Sequence, residues 1–523
     1  MRKLTLLFFC FATTLSAQNL ALMASQAYEA AVHNGPLALH AFLADFPKGA
    51  DLHVHLSGAV YAESFLRAAG EDGLCVDPKA LSFVKPPCTT PLIPASQVTT
   101  SQPLYDQLID SFSMRGFVPT PGWTGHDQFF ATFGRFGGLS KSHNGEWIDE
   151  VARRAAAQNQ QYLELMHTPA FSHTAQIAHE VGWKLNPETP DFAQLRLQLL
   201  DHGLREEVAS GQEEVRSAEA KRRQTEHCGT PQAAAACQVT VRAIYQILRA
   251  FPPEQVFAQT LLGFETVQSS LQAGGGDGSF VGINFVQPED NYISMCDYAL
   301  QMKMIEYLHS VYPQVHITLH AGELAEGMVP PEGLRFHIRQ AVEVAHAERI
   351  GHGVDVMFEN NSPQLLQEMA HRHVMVEINL SSNEGILGVT GKNHPFPLYR
   401  AAHVPVALST DDEGVSRIDI THEYVRAALD YHLSYADLKD LSRTSMEHSF
   451  LPGQSLWASA DRFIALNPAC QGVIAGSNAP STTCQNFLRS NEKATAQWEL
   501  EQRLLKFEKQ IPGTATTPAR GDR

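Results

Sequence analysis

The sequence is poor in positive charge: 39 lysines and arginines stand against 56 aspartates and glutamates, a formal net charge of −17. Such a chain repels a phosphate backbone and an anionic lipid surface, so neither nucleic acid nor membrane is expected as a main partner. Beyond the first twenty residues it has no apolar run long enough for a membrane helix. It has no internal repeat, and none of its eight cysteines has the C-x-x-C spacing of a structural zinc site. Nor does it lack what a folded chain needs. With 44% hydrophobic and 18% charged residues over 523 positions, a large core can form, and a disordered protein is excluded.

The opening MRKLTLLFFCFATTLSA has two basic residues, a short apolar run and then small residues. It reads as a secretory leader, residues 1–17, cleaved after Ala17, and predicts a secreted or periplasmic protein. Loss of Arg2 and Lys3 moves the net charge to near −19. Export to an oxidising compartment changes how the cysteines are read. Cys10 leaves with the leader, and three close pairs are expected as disulfides: Cys75 with Cys88, Cys228 with Cys237, and Cys470 with Cys484. Cys296 is expected to stay free and buried.

Apolar β-like runs alternate with amphipathic segments. GADLHVHL, QYLELMHT, VRAIYQIL, FVGINFVQ, HITLHAGE, ERIGHGVDV, VMVEINLSSN and VPVALSTDD are eight such runs. Eight strand and helix units predict an α/β fold, a closed (β/α)₈ barrel of the TIM type, with catalytic groups at the C-terminal ends of the strands. The expected organisation is a helical segment at 18–47, a barrel at 48–452 and a helical C-terminal extension at 453–523. Two insertions are expected: one near 60–120, after the first strand, rich in Pro, Ser and Thr, and a charged helix with a stapled loop near 205–240. The end of the chain, TATTPARGDR, reads as disordered.

Within GADLHVHL, His53 and His55 share one strand face while Leu52, Val54 and Leu56 share the other. Two imidazoles side by side supply half of a four-coordinate zinc site, although a bare H-x-H is a weak motif and an exposed polar face explains it as well. His371 and His373 have the same spacing, but they follow the helix-like PQLLQEMA and read as a solvated helix end. Further candidates lie at other strand ends. HITLHAGE puts His316 and His320 on one face, with Glu323 just beyond. ERIGHG offers His352 between two glycines. VALSTDDEG presents Asp411 beside Asp412, carboxylates that repel each other unless a cation or donors hold them. Each has a structural explanation when taken singly; their joint occurrence at four strand ends points to one site. Phe129, Phe133 and Phe136, at helical spacing, are expected either to line the pocket or to sit in plain core.

In these residues the chain resembles the adenosine deaminases of the metal-dependent amidohydrolase superfamily. The matching segments LHVHLSGA, LHAGE, RIGHG, EINLSSN, LSTDDEG and LSYADLKDLSRTSMEHSF follow the family's order across roughly 45–452. The leader, the insertion after the first strand, and EINLSSN and NHPFPLY look most like the secreted, growth-factor-type branch. The resemblance implies one zinc per chain, held by His53, His55, His320 and Asp411. It also implies Glu323 as proton donor to the purine ring, His352 as base and orienter of water, and Asp412 as a substrate contact. Catalytic residues would thus be Glu323, His352 and Asp411, and substrate contacts Asp412, His55, Ser57 and Gln287. The last two depart from the family pattern. Ser57 stands where an acidic residue meets the sugar hydroxyl, and Gln287 where a glycine meets the purine, so its side chain would bond the ring edge or narrow the pocket.

The implied reaction is hydrolytic deamination of adenosine or a related 6-aminopurine nucleoside to the 6-oxopurine and ammonia. Zinc lowers the pKa of water from about 15.7 towards 7, and a carboxylic acid kept neutral protonates N1. The H-x-E with P-C-x-x-C set of the cytidine-type deaminases is incomplete here. Two other readings stay open: a barrel amidohydrolase acting on an amide, ester or phosphoester, and a secreted nucleoside- or receptor-binding protein with incidental catalysis. QILRAF offers no lysine to bridge two metals, which favours a single ion. The expected partner is a small purine nucleoside, and a homodimer stays open as an assembly state.

Overall fold

A computed structural model of the chain describes residues 19–183 and 191–511; the expected leader and TATTPARGDR lie outside the described residues. Eight strands succeed one another around one sheet in chain order: β1 (Gly49–His55), β2 (Gln160–His167), β3 (Thr240–Leu248), β4 (Phe280–Val286), β5 (His316–Ala321), β6 (Arg349–His352), β7 (Met375–Ile378) and β8 (Val406–Leu408). Six fall within the expected runs, and β2 and β3 each begin one residue before theirs. From β2 to β8 each pair is parallel. The ring closes through a parallel bridge between Val54 and Asp411. There the His55 amide donates to the Asp411 carbonyl, and the Asp411 amide to the His53 carbonyl, both at 2.9 Å. The fold is a (β/α)₈ barrel.

The strand sequences follow from this. β4, FVGINFV, is buried along its whole length, as a strand covered on both faces must be. Outward-facing Val54, Leu163, Leu165 and Val241 bury themselves with Ile148, Val151 and Ala155 of the helix Asn144–Ala157. Each large aliphatic side chain so buried contributes about 1.5–3 kcal/mol, and truncating Leu165 to Ala would cost about 2–5 kcal/mol. The inward face is polar. Arg349 pairs with Glu164 and Glu377 at 2.7 Å each, Thr318 donates to Glu377 at 2.9 Å, and Tyr162 donates to Glu164 at 2.9 Å. This buried floor lies beneath the histidines.

After β1 the chain forms the helix Ala62–Glu71, an antiparallel sheet with Cys75–Asp77 between Ser82–Val84 and Ile93–Pro94, and the helices Gln102–Ser111 and Gly125–Arg135. Thr124 and Asp127 form a reciprocal capping box that starts the last of these. Phe65, Val76, Leu108, Phe112, Phe129 and Phe136 give this insertion its own core, and Cys75 is joined to Cys88. Residues 205–240 hold the helix Arg205–Thr225 and the Cys228–Cys237 bond.

The chain divides into two compact units: one of Asp51–Ala157 with Tyr162–Asp419, the other of the chain up to Ala50, Gln158–Gln161 and everything from Ile420. In the second, Lys48 is fully buried, its ammonium donating to the carbonyls of Leu43 (2.7 Å), Phe46 (3.0 Å) and Gln158 (2.8 Å). That unit also contains the hairpin Trp457–Ser459 and Arg462–Leu466, the Cys470–Cys484 bond and the terminal helix Glu492–Gln510.

One expectation fails. Cys296 is free, as read, but exposed. It ends the short helix Tyr292–Cys296, in which Ser294 is the buried residue, so a five-residue helix has no face left to cover the thiol.

Candidate active site

The expected residues converge at the C-terminal ends of the barrel strands. His53 and His55 come from β1, His320 from β5, His352 from the end of β6, and Asp411 from the turn after β8. One donor atom from each of His53, His55, His320 and Asp411 lies within 4.8 Å of the others, and all four side chains are buried. The Nε2 atoms of His53 and His55 lie 3.3 and 3.2 Å from Asp411 Oδ1, and those of His55 and His320 are 3.2 Å apart. His316 lies at the start of β5, away from the cluster, and faces Glu348 at 2.9 Å.

Each ligand histidine spends its other nitrogen on an oxygen. Nδ1 of His53 donates to Glu377 Oε2 at 2.6 Å, Nδ1 of His55 to Gln246 Oε1 at 2.8 Å, and Nδ1 of His320 to Asn284 Oδ1 at 2.9 Å. With the proton on Nδ1, each Nε2 lone pair faces the common centre. The tool of position is the strand itself, because Gln246, Asn284 and Glu377 lie on β3, β4 and β7. Sequence reading missed all three. The available signal was a polar residue inside the apolar runs VRAIYQIL, FVGINFV and MVEI, pointing where the histidines point.

Donor chemistry and electrostatics fit a divalent cation of the zinc type. Burial depresses His53, yet its bonds to Asp411 and Glu377 outweigh that and hold its pKa up at about 10, so the centre stabilises positive charge. His53 Nε2, 3.3 Å from Asp411 Oδ1, makes no well-aligned hydrogen bond among the described residues. His320 is lowered by burial and by the histidines around it, which favours the neutral imidazole that a metal ion would need. Three imidazoles and a carboxylate form a donor set suited to a catalytic zinc with an open position.

Around this centre stand three further groups. Glu323 is buried, and burial first, then the charges of Asp411 and Glu289, raise its carboxyl well above the usual range, which favours the protonated form. Glu289, unforeseen in the sequence, accepts from the amides of Gly322 (3.0 Å) and Glu323 (2.8 Å) and from His337, and so fixes the Glu323 backbone. Asp412 is raised by burial and by its neighbour Asp411, and its Oδ1 has no partner among the described residues. A Cβ at position 58 would lie 1.4 Å from that oxygen, so Gly58 is what makes room for Asp412.

His352 sits at the end of a chain of bonds that sets its tautomer. The Phe396 amide donates to His394 Nδ1 (3.1 Å), which leaves the His394 proton on Nε2 to bond Asn383 Oδ1 (3.0 Å). The amide nitrogen of Asn383 then donates to His352 Nδ1 at 2.9 Å. Neutral His352, its pKa lowered by burial to about 3, therefore carries its proton on Nε2, 4.0 Å from Asp411 Oδ2. That arrangement suits the expected orienting role. It does not suit the expected base, because Nε2 already holds a proton. Gly351 leaves no space for a side chain, since a Cβ there would lie 2.5 Å from the His53 ring.

A cavity of about 240 Å³ opens onto these groups, walled by Phe129, Phe130, Phe133, Leu248, Val286 and Gln287, with Ser57 at its edge. Phe129 is both core and wall, while Phe136 is core to the insertion and lies outside this cavity. Gln287 lines the pocket as expected, but its Oε1 is spent on the Ala250 amide at 2.8 Å, which leaves only its amide N–H groups for a ligand. Its φ of +86°, with +70° at His352 and +58° at Asp411, puts three non-glycine residues in the left-handed region at one site, where the surrounding fold must enforce the strain.

Fold and site together define a barrel whose strand ends gather three histidines and one aspartate in an arrangement that could hold a metal ion, flanked by the buried carboxyl of Glu323. Residues 225–464 match the family described as Adenosine deaminase. It is 35% identical over 136 residues to an adenosine deaminase of Shewanella loihica, and 32% identical over 137 residues to one of Clostridium acetobutylicum. Each match covers 26% of this chain and 38% of the relative's length. Among solved structures it is similar to an adenine deaminase of Arthrobacter aurescens (18% identity, TM-score 0.49, 77% of this chain and 94% of that one). It is also similar to the N6-methyl-AMP deaminase of Arabidopsis thaliana (20% identity, TM-score 0.49, 79% and 94%).

Proposed function

We propose that the protein is a zinc-dependent aminohydrolase that converts adenosine or a close 6-aminopurine nucleoside to the 6-oxopurine and ammonia. The observation that carries this reading is the buried Glu323 beside the His53, His55, His320 and Asp411 cluster, lining an aromatic-walled cavity. Zinc held by those four residues would supply the Lewis acidity that makes water nucleophilic at neutral pH. Phe129, Phe130 and Phe133 take the flat bicycle and exclude bulk water. Glu323 gives its proton to N1 as the water oxygen bonds to C6. His352, as Nε2–H donor, orients that oxygen, while Asp411 stays ionised opposite it. The free oxygen of Asp412 meets a ring-edge nitrogen. The two protons of the water leave by way of the Asp411 carboxylate, one to the amino nitrogen and one back to Glu323, so that breaking the bond from C6 to that nitrogen releases ammonia and leaves the 6-oxopurine.

A two-metal amidohydrolase reading is disfavoured by Arg249, which follows β3. Its guanidinium is occupied by the carbonyls of His320 (3.1 Å) and Gln287 (3.0 and 3.1 Å), and it cannot form the carboxylated bridge that a lysine forms. The leader and the paired cysteines support export to the periplasm or the medium, and with the insertion after β1 they support the secreted, growth-factor-type branch. Metal analysis of the purified protein, with ultraviolet observation of adenosine conversion, tests the reading. One equivalent of zinc and inosine formation are expected; zinc-loaded protein that turns over no 6-aminopurine would end it.

A further inference from the structure

A second cavity of about 290 Å³ adjoins the first, and Ser57, Phe133 and Gln246 wall both. We propose that this second chamber receives what the sugar on purine N9 carries at its far end, and that the preferred substrate is a 6-aminopurine nucleoside extended beyond its sugar by a neutral, largely apolar arm. This rests on the deaminase reading above and names its substrate class.

In a purine, C6 and N9 lie on opposite sides of the bicycle. With C6 at the histidine and aspartate cluster, whatever N9 carries is directed away from it, and the space continues across Ser57 and Phe133. The first chamber, at about 240 Å³, is smaller than the usual ligand pocket of roughly 300–1,000 Å³, so a bicycle and its sugar fill it. The space beyond is walled by Phe65, Phe136, Leu139, Trp147 and Met166, a lining that gains free energy by burying carbon or sulfur.

Its polar end does not suit a phosphate. Lys141 bonds both oxygens of Glu214 at 2.8 and 3.1 Å, His167 bonds the same carboxylate at 2.7 Å, and Asn144 and the Ala170 amide donate to it as well. The ammonium is thus already paired, and the imidazole of His167 with it. Among the described residues the indole N–H of Trp147 is buried without a hydrogen-bond partner. An arm bearing an ether, thioether or hydroxyl acceptor would satisfy it, at no cost to the apolar walls.

The test uses the full zinc-loaded protein with adenosine, 5′-deoxyadenosine, 5′-deoxy-5′-methylthioadenosine, a 5′-benzylthio analogue and AMP. The two thioethers should match or exceed adenosine in kcat/KM, and exceed AMP by about 10-fold or more, the range that one or two apolar groups command. L139W, which fills the second chamber, should lower the thioethers by about 10-fold and leave adenosine within about twofold. W147F keeps the wall and should cost the thioethers alone a few-fold, so a misfolded L139W does not leave the question open. AMP as the best substrate, or thioethers that react poorly while adenosine reacts well, would overturn the second chamber and leave the deaminase reading standing. If no 6-aminopurine reacts, the deaminase reading falls. Calorimetric binding then decides the chamber: thioether nucleosides should bind tighter than adenosine, and L139W should abolish the difference.

Discussion

His53-Val-His55 and His371-Arg-His373 have the same spacing and opposite fates. The first pair lies on a strand buried along its length, where both side chains leave by one face and each Nδ1 meets a fixed oxygen. The second straddles the end of the helix Ser362–His371 and an exposed turn in which His373 has a φ of +56°. What separates them is the set of partners that the strand frame presents, since the spacing alone makes two imidazoles neighbours only where the backbone is extended.

The hardest test of that contrast removes one member of each pair. His53→Ala, His320→Ala or Asp411→Ala should each empty the metal site and cut kcat/KM by about 10⁴-fold or more, whereas the H371A/H373A double variant should keep zinc and turnover within about twofold. Metal analysis and kinetics read both, and an H53A enzyme with full zinc would break the comparison. Next, Glu323→Gln should retain zinc and lose about 10²–10⁴-fold in kcat, because the amide keeps the shape and gives up no proton.

Acid tests the frame behind Glu323. The Glu289 carboxyl is held near 2 against burial, by His337, Arg249 and the Gly322 amide. A lowered carboxyl contributes stability that is fully present above its unfolded value near 4.5 and is lost as pH falls through about 2. Stability should therefore drop by roughly 2–3 kcal/mol between about pH 4.5 and 2, and in Glu289→Gln that part of the curve should flatten, as urea melts at several pH values would report. Smaller still, Asn284→Ala or Gln246→Ala should weaken zinc by about 10–100-fold with the four ligands intact. The smallest effect falls on Ser57. A neutral hydroxyl contact is worth about 0.5–1.5 kcal/mol, so 5′-deoxyadenosine should lose less than about 10-fold in kcat/KM against adenosine.

The barrel strands and the four-ligand cluster were legible because their signals are local: apolar runs of strand length, and histidines or carboxylates at the ends of those runs. The partners of those ligands were less so. Glu377 or Asn284, alone in an apolar strand, looks the same whether it faces a histidine or another strand, and only the closed ring decides which. Gln287 was placed at the pocket, but its bond to the Ala250 amide depends on a loop path with no sequence signature. The tautomer of His352 depends on Asn383, His394 and Phe396, three residues whose order in the chain says nothing of their order in space. Cys296 was read as buried from its residue type, which is a tendency of the thiol and not of a five-residue helix.

The Val54 to Asp411 bridge has a thermodynamic consequence. Where β8 meets β1 the ring is held by two backbone hydrogen bonds, and the metal-type donors lie on both sides of that seam, His53 and His55 on one strand and Asp411 on the other. A cation gripped by both sides is therefore a clasp on the barrel as well as a reagent, and its binding free energy is also closure free energy. By mass action, an ion at 100 times its dissociation constant adds about 2.7 kcal/mol to the folded state. The first and last strands of the barrel, some 350 residues apart in sequence, would in that sense form one ligand-dependent joint.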